Sequence, residues 1–272
     1  MVPSLLLSFR EGLEAALIIG ILLGTLKKIE RPEYRINVWA GAGLAVVASV
    51  LAAFVLQWVG ASFEGRAEEI FEGITMLLSA GVLTWVILWM QRQSHSINSQ
   101  LSSDVRRAVI AGSKSALFSL AFLAIIREGL ELVLILTATS YTSGPFSILM
   151  GAGIGLGIAI LIAYLLFNRL IRLNLSQFFR VTSILLILFA AGLVAHGVHE
   201  LNDAGWIPAV VEHVWDINPI LDENSLGGEI LKALFGYNGN PSLTEVLAYF
   251  AYYLGLAWVY RRQAANLQLA TA

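Results

Sequence analysis

Arg10-Glu11-Gly12-Leu13-Glu14 and Arg127-Glu128-Gly129-Leu130-Glu131 are one five-residue pattern written twice. On a helix, offsets of three and four put Glu11 with Glu14 and Arg10 with Glu14 on one face, and likewise Glu128 with Glu131 and Arg127 with Glu131. Two such faces turned toward each other would set four carboxylates against two guanidiniums. The surplus of two negative charges is what a divalent or trivalent cation neutralises. Oxygen ligands suit Fe(III), Mn(II), Mg and Ca, and with imidazole nearby also Fe(II) and Zn. The competing reading makes each motif an interhelical Arg–Glu lock. Buried ion pairs stabilise less than apolar packing of the same volume, so a duplicated charged pattern favours a site, with Arg10 and Arg127 balancing its charge.

A second set lies elsewhere in the chain. His196, His199 and Glu200 are spaced three and four apart, and Glu68, Glu69 and Glu72 gather in one short stretch. Two readings stand for each. The histidines with Glu200 form a metal-capture site, or they are interfacial side chains held by water or by a helix C-terminus. The three glutamates form a cation funnel, or they are a solvated N-terminal turn favoured by the helix dipole. His95 and His213 are single histidines without assigned roles.

The elements that carry these residues follow from composition. Of 272 residues 57% are hydrophobic and 13% charged, whereas a soluble domain carries about 25% charged residues. The expectation is an all-α integral membrane protein. Runs of about 20 apolar residues read as spans, and seven are expected: 4–26, 37–59, 69–90, 115–141, 146–167, 181–199 and 243–260. Both motifs fall in the middle of a span, where each ionised group costs about 2.5–3.5 kcal/mol to insert. Charges in that position mark a polar pathway.

Loop charge sets the expected orientation. Lys27, Lys28, Arg31 and Arg35 follow the first span, Arg92, Arg106, Arg107 and Lys114 the third, Arg169, Arg172 and Arg180 the fifth, and Arg261 and Arg262 the seventh. The alternate loops are acidic, which puts the N-terminus outside and the C-terminus in the cytoplasm. Three spans separate the motifs, and an odd number inverts the next unit. The chain therefore reads as a single membrane domain, 1–272, built as a 3+3 inverted repeat (about 4–90 and 115–199), an outer loop (about 202–242) and a seventh helix (about 243–260). Such folds bind substrate near the midplane, between the repeats.

Other chemistries are narrowed by what the sequence lacks. It has no cysteine, and its methionines, Met1, Met76, Met90 and Met150, are scattered, so soft-metal sites have little support. No G-x-x-x-x-G-K-[ST] occurs, so transport is not driven by its own ATP hydrolysis. The run Gly151-Ala152-Gly153-Ile154-Gly155-Leu156-Gly157 reads as helix packing rather than a nucleotide loop. A net charge of −2 with dispersed basic residues gives no footprint for nucleic acid. The opening Met1-Val2-Pro3-Ser4 lacks a basic n-region, so the first apolar run is expected to stay as a helix. Trp206, Trp215, Phe235 and Tyr237 in the outer loop suit a membrane interface.

With these residues in view the chain resembles the oxidase-dependent iron permease family of fungi and bacteria. The resemblance rests on both Arg-Glu-Gly-Leu-Glu copies, Phe71-Glu72-Gly73-Ile74, His196-Gly197-Val198-His199-Glu200, and Leu234-Phe235-Gly236-Tyr237 followed by Pro241-Ser242. It implies seven spans and iron translocation, with Glu11, Glu14, Glu128 and Glu131 as ligands and Arg10 and Arg127 orienting them. It also implies a separate extracytoplasmic redox or iron-delivery partner. The outer loop lacks the acidic Asp-Ala-Ser-Glu run of fungal members, which leans the reading toward a bacterial form in the cytoplasmic membrane. The expected function is an iron permease rather than an enzyme, with no permanent cofactor and iron as transported substrate. Rival readings are a permease for another divalent cation such as manganese or lead, and a membrane-embedded di-metal oxidoreductase, which would want Glu-x-x-His rather than Glu-x-x-Glu pairs.

Overall fold

The computed structural model describes residues 1–93, 97–140, 144–167, 175–223 and 225–271. Three residues singled out from the sequence, His95, Arg169 and Arg172, and the last residue of the expected 115–141 span lie outside the described residues. The described chain is helical, with no strand: α1 (Val2–Lys28), a 3-10 turn (Pro32–Tyr34), α2 (Arg35–Gly60), α3 (Arg66–Gln93), α4 (Ile97–Ile110), α5 (Lys114–Ser140), α6 (Pro145–Phe167), α7 (Leu175–Asp203), α8 (Leu226–Phe235) and α9 (Leu243–Thr271). Among the described residues four segments are long and apolar enough to cross a membrane: Pro32–Gly60, Arg66–Trp89, Pro145–Phe167 and Arg180–Asp203. The helices α1 and α5 are as long, but each carries the three charges of its motif.

Breaks between helices follow the local chemistry. A proline opens the turn after α1 and another opens α6. Gly112 and Gly205 adopt φ of +63° and +67° just beyond α4 and α7. There Ser113 and Trp206 donate back to the Ala108 and Leu201 carbonyls, the left-handed C-terminal motif that glycine makes cheap. The end of α1 uses the same geometry without glycine, at Glu30 (φ 58°).

Residue contacts group the described chain into two compact units, Met1–Ser62 with Val82–Leu186, and Phe63–Gly81 with Ile187–Ala272; the chain passes between them just before α3, within α3 and within α7. In the first unit α1 packs mainly on α6, and α2 mainly on α5, with α1 also touching α5. Lipid is as apolar as leucine, so such contacts depend on close approach rather than on burial from water. Gly151 and Gly155 meet that need: a Cβ on either would strike the α1 backbone, at Met1 O and Leu5 O, whereas Gly153 and Gly157 face open space. The glycine run is a packing stripe, as its spacing indicates. Leu13 is fully buried with Ala159 and Ala163 of α6. A further cluster joins Leu22 and Leu26 of α1, Val38 of α2, Val105 and Ala108 of α4, and Leu117 and Ala121 of α5.

The helix α4 was not expected from the sequence, which reads there as a basic loop. Its apolar residues are few but fall on one side, with Val105 and Ala108 buried and Arg106 and Arg107 exposed. In the second unit Gly73 of α3 and Gly197 of α7 abut, each one's absent Cβ aimed at the other's carbonyl oxygen. The segment between α7 and α9 holds the short α8, capped at Ser225, whose hydroxyl accepts from the Gly228 N–H at 3.1 Å. Tyr237 donates its hydroxyl to the Leu221 carbonyl at 2.7 Å, and Gly236 passes against Gly192 of α7.

Candidate metal centre

Both motifs lie in the first unit, on α1 and α5, and their glycines set the spacing. A Cβ at Gly12 would press on Leu156 and Ala159 of α6, and one at Gly129 would collide with Ser49 of α2. Each motif therefore lies flush against a neighbouring helix, with its carboxylates held in the interior. Glu11, Glu14, Glu128 and Glu131 are all buried, and Arg10 is 1% exposed.

Glu11, Glu128 and Glu131 each offer an oxygen, and these oxygens lie within 4.8 Å of one another. Carboxylates from two helices far apart in the chain thus converge on one point. Oε2 of Glu11 and Oε2 of Glu128 are buried with no hydrogen-bond partner among the described residues. An orphaned buried carboxylate oxygen is costly, and a bound cation removes that cost. The ligands are all hard oxygens, which suits Fe, Mn and Mg rather than soft metals. Glu14 stands beside this trio, with Oε1 3.0 Å from Arg10 Nη2.

Identical motifs sit in unlike surroundings. Arg10 bonds Glu11 through Nη1 and pairs with Glu14 through Nη2, with no exposure to speak of. Arg127 is 29% exposed and donates from Nε to Glu131 Oε1 at 2.8 Å. Its guanidinium carbon stands 4.0 Å from the ring centre of Trp89 and 5.7 Å from that of Trp85, both on α3. These distances are in cation–π range. Trp85 and Trp89 have no counterpart in the sequence reading, although an i, i+4 indole pair one turn from a span end was visible there.

A cavity of about 700 Å³ reaches the trio, with Glu11 and Glu128 among its lining residues. Its walls come from α1, α2, α5 and α6 and are mostly apolar; besides the glutamates, Ser49, Gln57, Thr137 and Ser140 are the polar exceptions.

The second predicted set lies in the second unit, and its members have separate environments. Glu68 and Glu69 occupy the first turn of α3, Glu68 exposed. Glu72, one turn on, feels the charges of Glu200, Glu68 and Glu69. His196 is buried and donates from Nδ1 to the Gly192 carbonyl, 3.1 Å away on its own helix. The ring of His199 is placed between Glu245 Oε2 (3.5 Å from Nδ1) and Asp203 Oδ2 (3.6 Å from Nε2). Glu245 is 2% exposed and receives both contacts of the Asn238 amide at 3.1 Å. Sequence reasoning passed over Glu245 as part of the last span. Its signal was Ser242-x-x-Glu245, the capping-box spacing, and the Glu245 N–H does donate to Ser242 Oγ at 3.2 Å.

Against known proteins, residues 1–268 match the Iron permease FTR1 family. Among curated relatives, the ferrous iron permease EfeU of Escherichia coli O6:K15:H31 (strain 536) is 35% identical over 250 residues, covering 91% of this chain and 90% of the relative. The ferrous iron permease EfeU of Shigella sonnei (strain Ss046) is similar to the same extent. That of Yersinia pestis is 32% identical over 249 residues, covering 91% and 88%. No solved structure matches. With two Arg-Glu-Gly-Leu-Glu motifs on buried helix faces and a match along nearly its whole length, the chain belongs to the iron permease family.

Proposed function

We propose that this multi-pass membrane protein carries iron across the cytoplasmic membrane into the cell, using the carboxylates of both motifs as one transport site. The observation that carries the reading is the buried trio of Glu11, Glu128 and Glu131, with two unpartnered oxygens. Its relatives are named ferrous iron permeases, and the hard-oxygen trio fits that cargo. In this reading Glu14 completes the ligand set as the ion moves, and Arg10 and Arg127 compensate the carboxylates when it has left. Iron is substrate, no permanent cofactor is needed, and the protein is a carrier rather than an enzyme.

The architecture in this reading is seven spans in one membrane domain, a 3+3 inverted repeat with an appended seventh helix, N-terminus outside and C-terminus inside. The pairing of α1 with α6 and α2 with α5 supports it. Exchanging α1 with α5 and α2 with α6 maps one pairing onto the other, as a pseudo-two-fold requires. The motif glycines obey the same exchange, Gly12 against α6 and Gly129 against α2. Glu68, Glu69, Glu72, His196, His199 and Glu200 are the outer capture site of this reading, and the field that Glu72 shares with Glu200, Glu68 and Glu69 supports its carboxylate part alone. A separate extracytoplasmic redox or iron-delivery protein would supply the ion there.

Uptake into proteoliposomes, with Fe(II) under reductant and chelated Fe(III) in parallel, tests the function and its valence. A manganese permease is the second reading, favoured by a trio without imidazole. Competition by Mn(II) and Pb(II) separates the two: iron uptake unaffected by excess Mn(II) supports iron, and preferential Mn(II) uptake supports the alternative.

A further inference from the structure

The two arginines occupy identical motif positions and do different work. Arg10 is sealed in the interior, bonded to both glutamates of its own motif. Arg127 touches one carboxylate, through Nε to Glu131, and otherwise lies on indole: Trp89 at 4.0 Å and Trp85 at 5.7 Å. Among the described residues its two terminal amino groups hold no carboxylate, although Glu128 belongs to the same motif. A guanidinium beside several buried carboxylates would otherwise spread its fork over two of them. The rings of Trp85 and Trp89, one turn apart on α3, offer a competing seat that needs no anion.

We propose that Trp89, assisted by Trp85, is a positioning residue that seats the Arg127 guanidinium and keeps its terminal amino groups out of the Glu11–Glu128–Glu131 trio. The cation can then take Glu131 without displacing an arginine fork. Arg10 is the fixed counter-charge and Arg127 the releasable one, parked on the indole while the site is loaded. Without the seat, Arg127 falls across Glu131 and Glu128 and competes with the metal. This rests on the trio being the metal site.

The experiment is equilibrium binding of Fe(II) under reductant, with Mn(II) as a second probe, to the full-length protein in detergent. Trp89→Leu is expected to weaken binding about five- to tenfold, the size of one lost cation–π contact, and Trp89→Phe by less. In an Arg127→Gln background Trp89→Leu is expected to change nothing, because the residue it positions is gone. Wild-type affinity in Trp89→Leu overturns the proposal, as does an equal loss in the Arg127→Gln background, which makes Trp89 mere packing. Should Trp89→Leu fail to fold, Trp89→Phe decides: an intermediate loss that disappears with Arg127→Gln supports the seat, and wild-type affinity contradicts it. Glu131→Gln in parallel separates the two layers. If it leaves binding intact the site reading fails, and if it alone weakens binding only the seat fails.

Discussion

Glu11 of α1 and Glu128 of α5 bring carboxylate oxygens within 4.8 Å of each other, and in each Oε2 is buried without a hydrogen-bond partner among the described residues. Like charges so placed repel, and in a medium without water that repulsion is weakly screened. Arg10 answers only part of it. In the transport reading, a cation held between the two would relieve that repulsion.

Glu14 lies outside the convergent trio, and its Oε1 pairs with Arg10 at 3.0 Å, the same arginine that bonds Glu11. In the transport reading it receives the ion after the trio rather than with it. Glu14→Gln is expected to lower the turnover of iron uptake about tenfold or more while changing equilibrium Fe(II) affinity by less than about threefold, from a lost charge-assisted contact. Equal losses in both measurements would return Glu14 to the trio.

The two glycine registers on α6 make unequal demands. Gly155→Ala puts a methyl group against the Leu5 carbonyl of α1, and overpacking of this kind costs about 1–3 kcal/mol. Gly153→Ala and Gly157→Ala meet nothing within 4 Å and replace a poor helix former with a good one. Thermal unfolding in detergent should separate the two groups, with Gly155→Ala melting several degrees lower and the others at or above wild type.

Glu30 closes α1 at φ 58°, a conformation costing a side-chain-bearing residue about 1–2 kcal/mol. Glu30→Gly is expected to stabilise the protein by about 1 kcal/mol with uptake unchanged. A lower melting temperature would mean that the Glu30 side chain has a role its backbone conceals.

Glu245 is buried between Asn238 and His199. Removing its charge leaves the Asn238 amide with a weaker acceptor, so Glu245→Gln should cost about 1–3 kcal/mol. Limited proteolysis is expected to cut the 202–242 segment faster in this variant, and Asn238→Ala should do the same. Unchanged cleavage in both would remove Glu245 as an anchor of that segment.

The absence of cysteine makes the orientation directly testable. Cysteines introduced at Arg107 and at Asp216 should react with a membrane-impermeant thiol reagent from opposite sides, Asp216 from outside. The reverse pattern would invert the topology.

How far the sequence carried this picture depended on the range of each interaction. The two motifs, their shared helix faces and the packing stripe at Gly151 and Gly155 are periodic, local patterns, and were legible. That Glu128 rather than Glu14 joins Glu11 and Glu131 in the trio depends on where α5 crosses α1, and spacing within one helix carries no record of it. The splitting of His196 from His199 has the same cause. Both sit on one helix, but His196 faces its own backbone at Gly192, and His199 faces Glu245, which is distant in sequence. The indole seat under Arg127 was missed because an aromatic pair near a span end also suits a lipid headgroup, and only the meeting of α3 with α5 tells the two apart. The helix α4 escaped because its apolar residues are too few to read as anything but a loop until the cluster they complete is known.

The most direct measurement is iron uptake into proteoliposomes by Glu11→Gln, Glu128→Gln and the double variant, each checked for folding. One shared site makes both single variants lose at least about tenfold of uptake and the double variant little worse than either, because groups acting as a unit are not additive. Uptake at the wild-type rate in either single variant, with the protein folded, would show that the two motifs do not share a transport site.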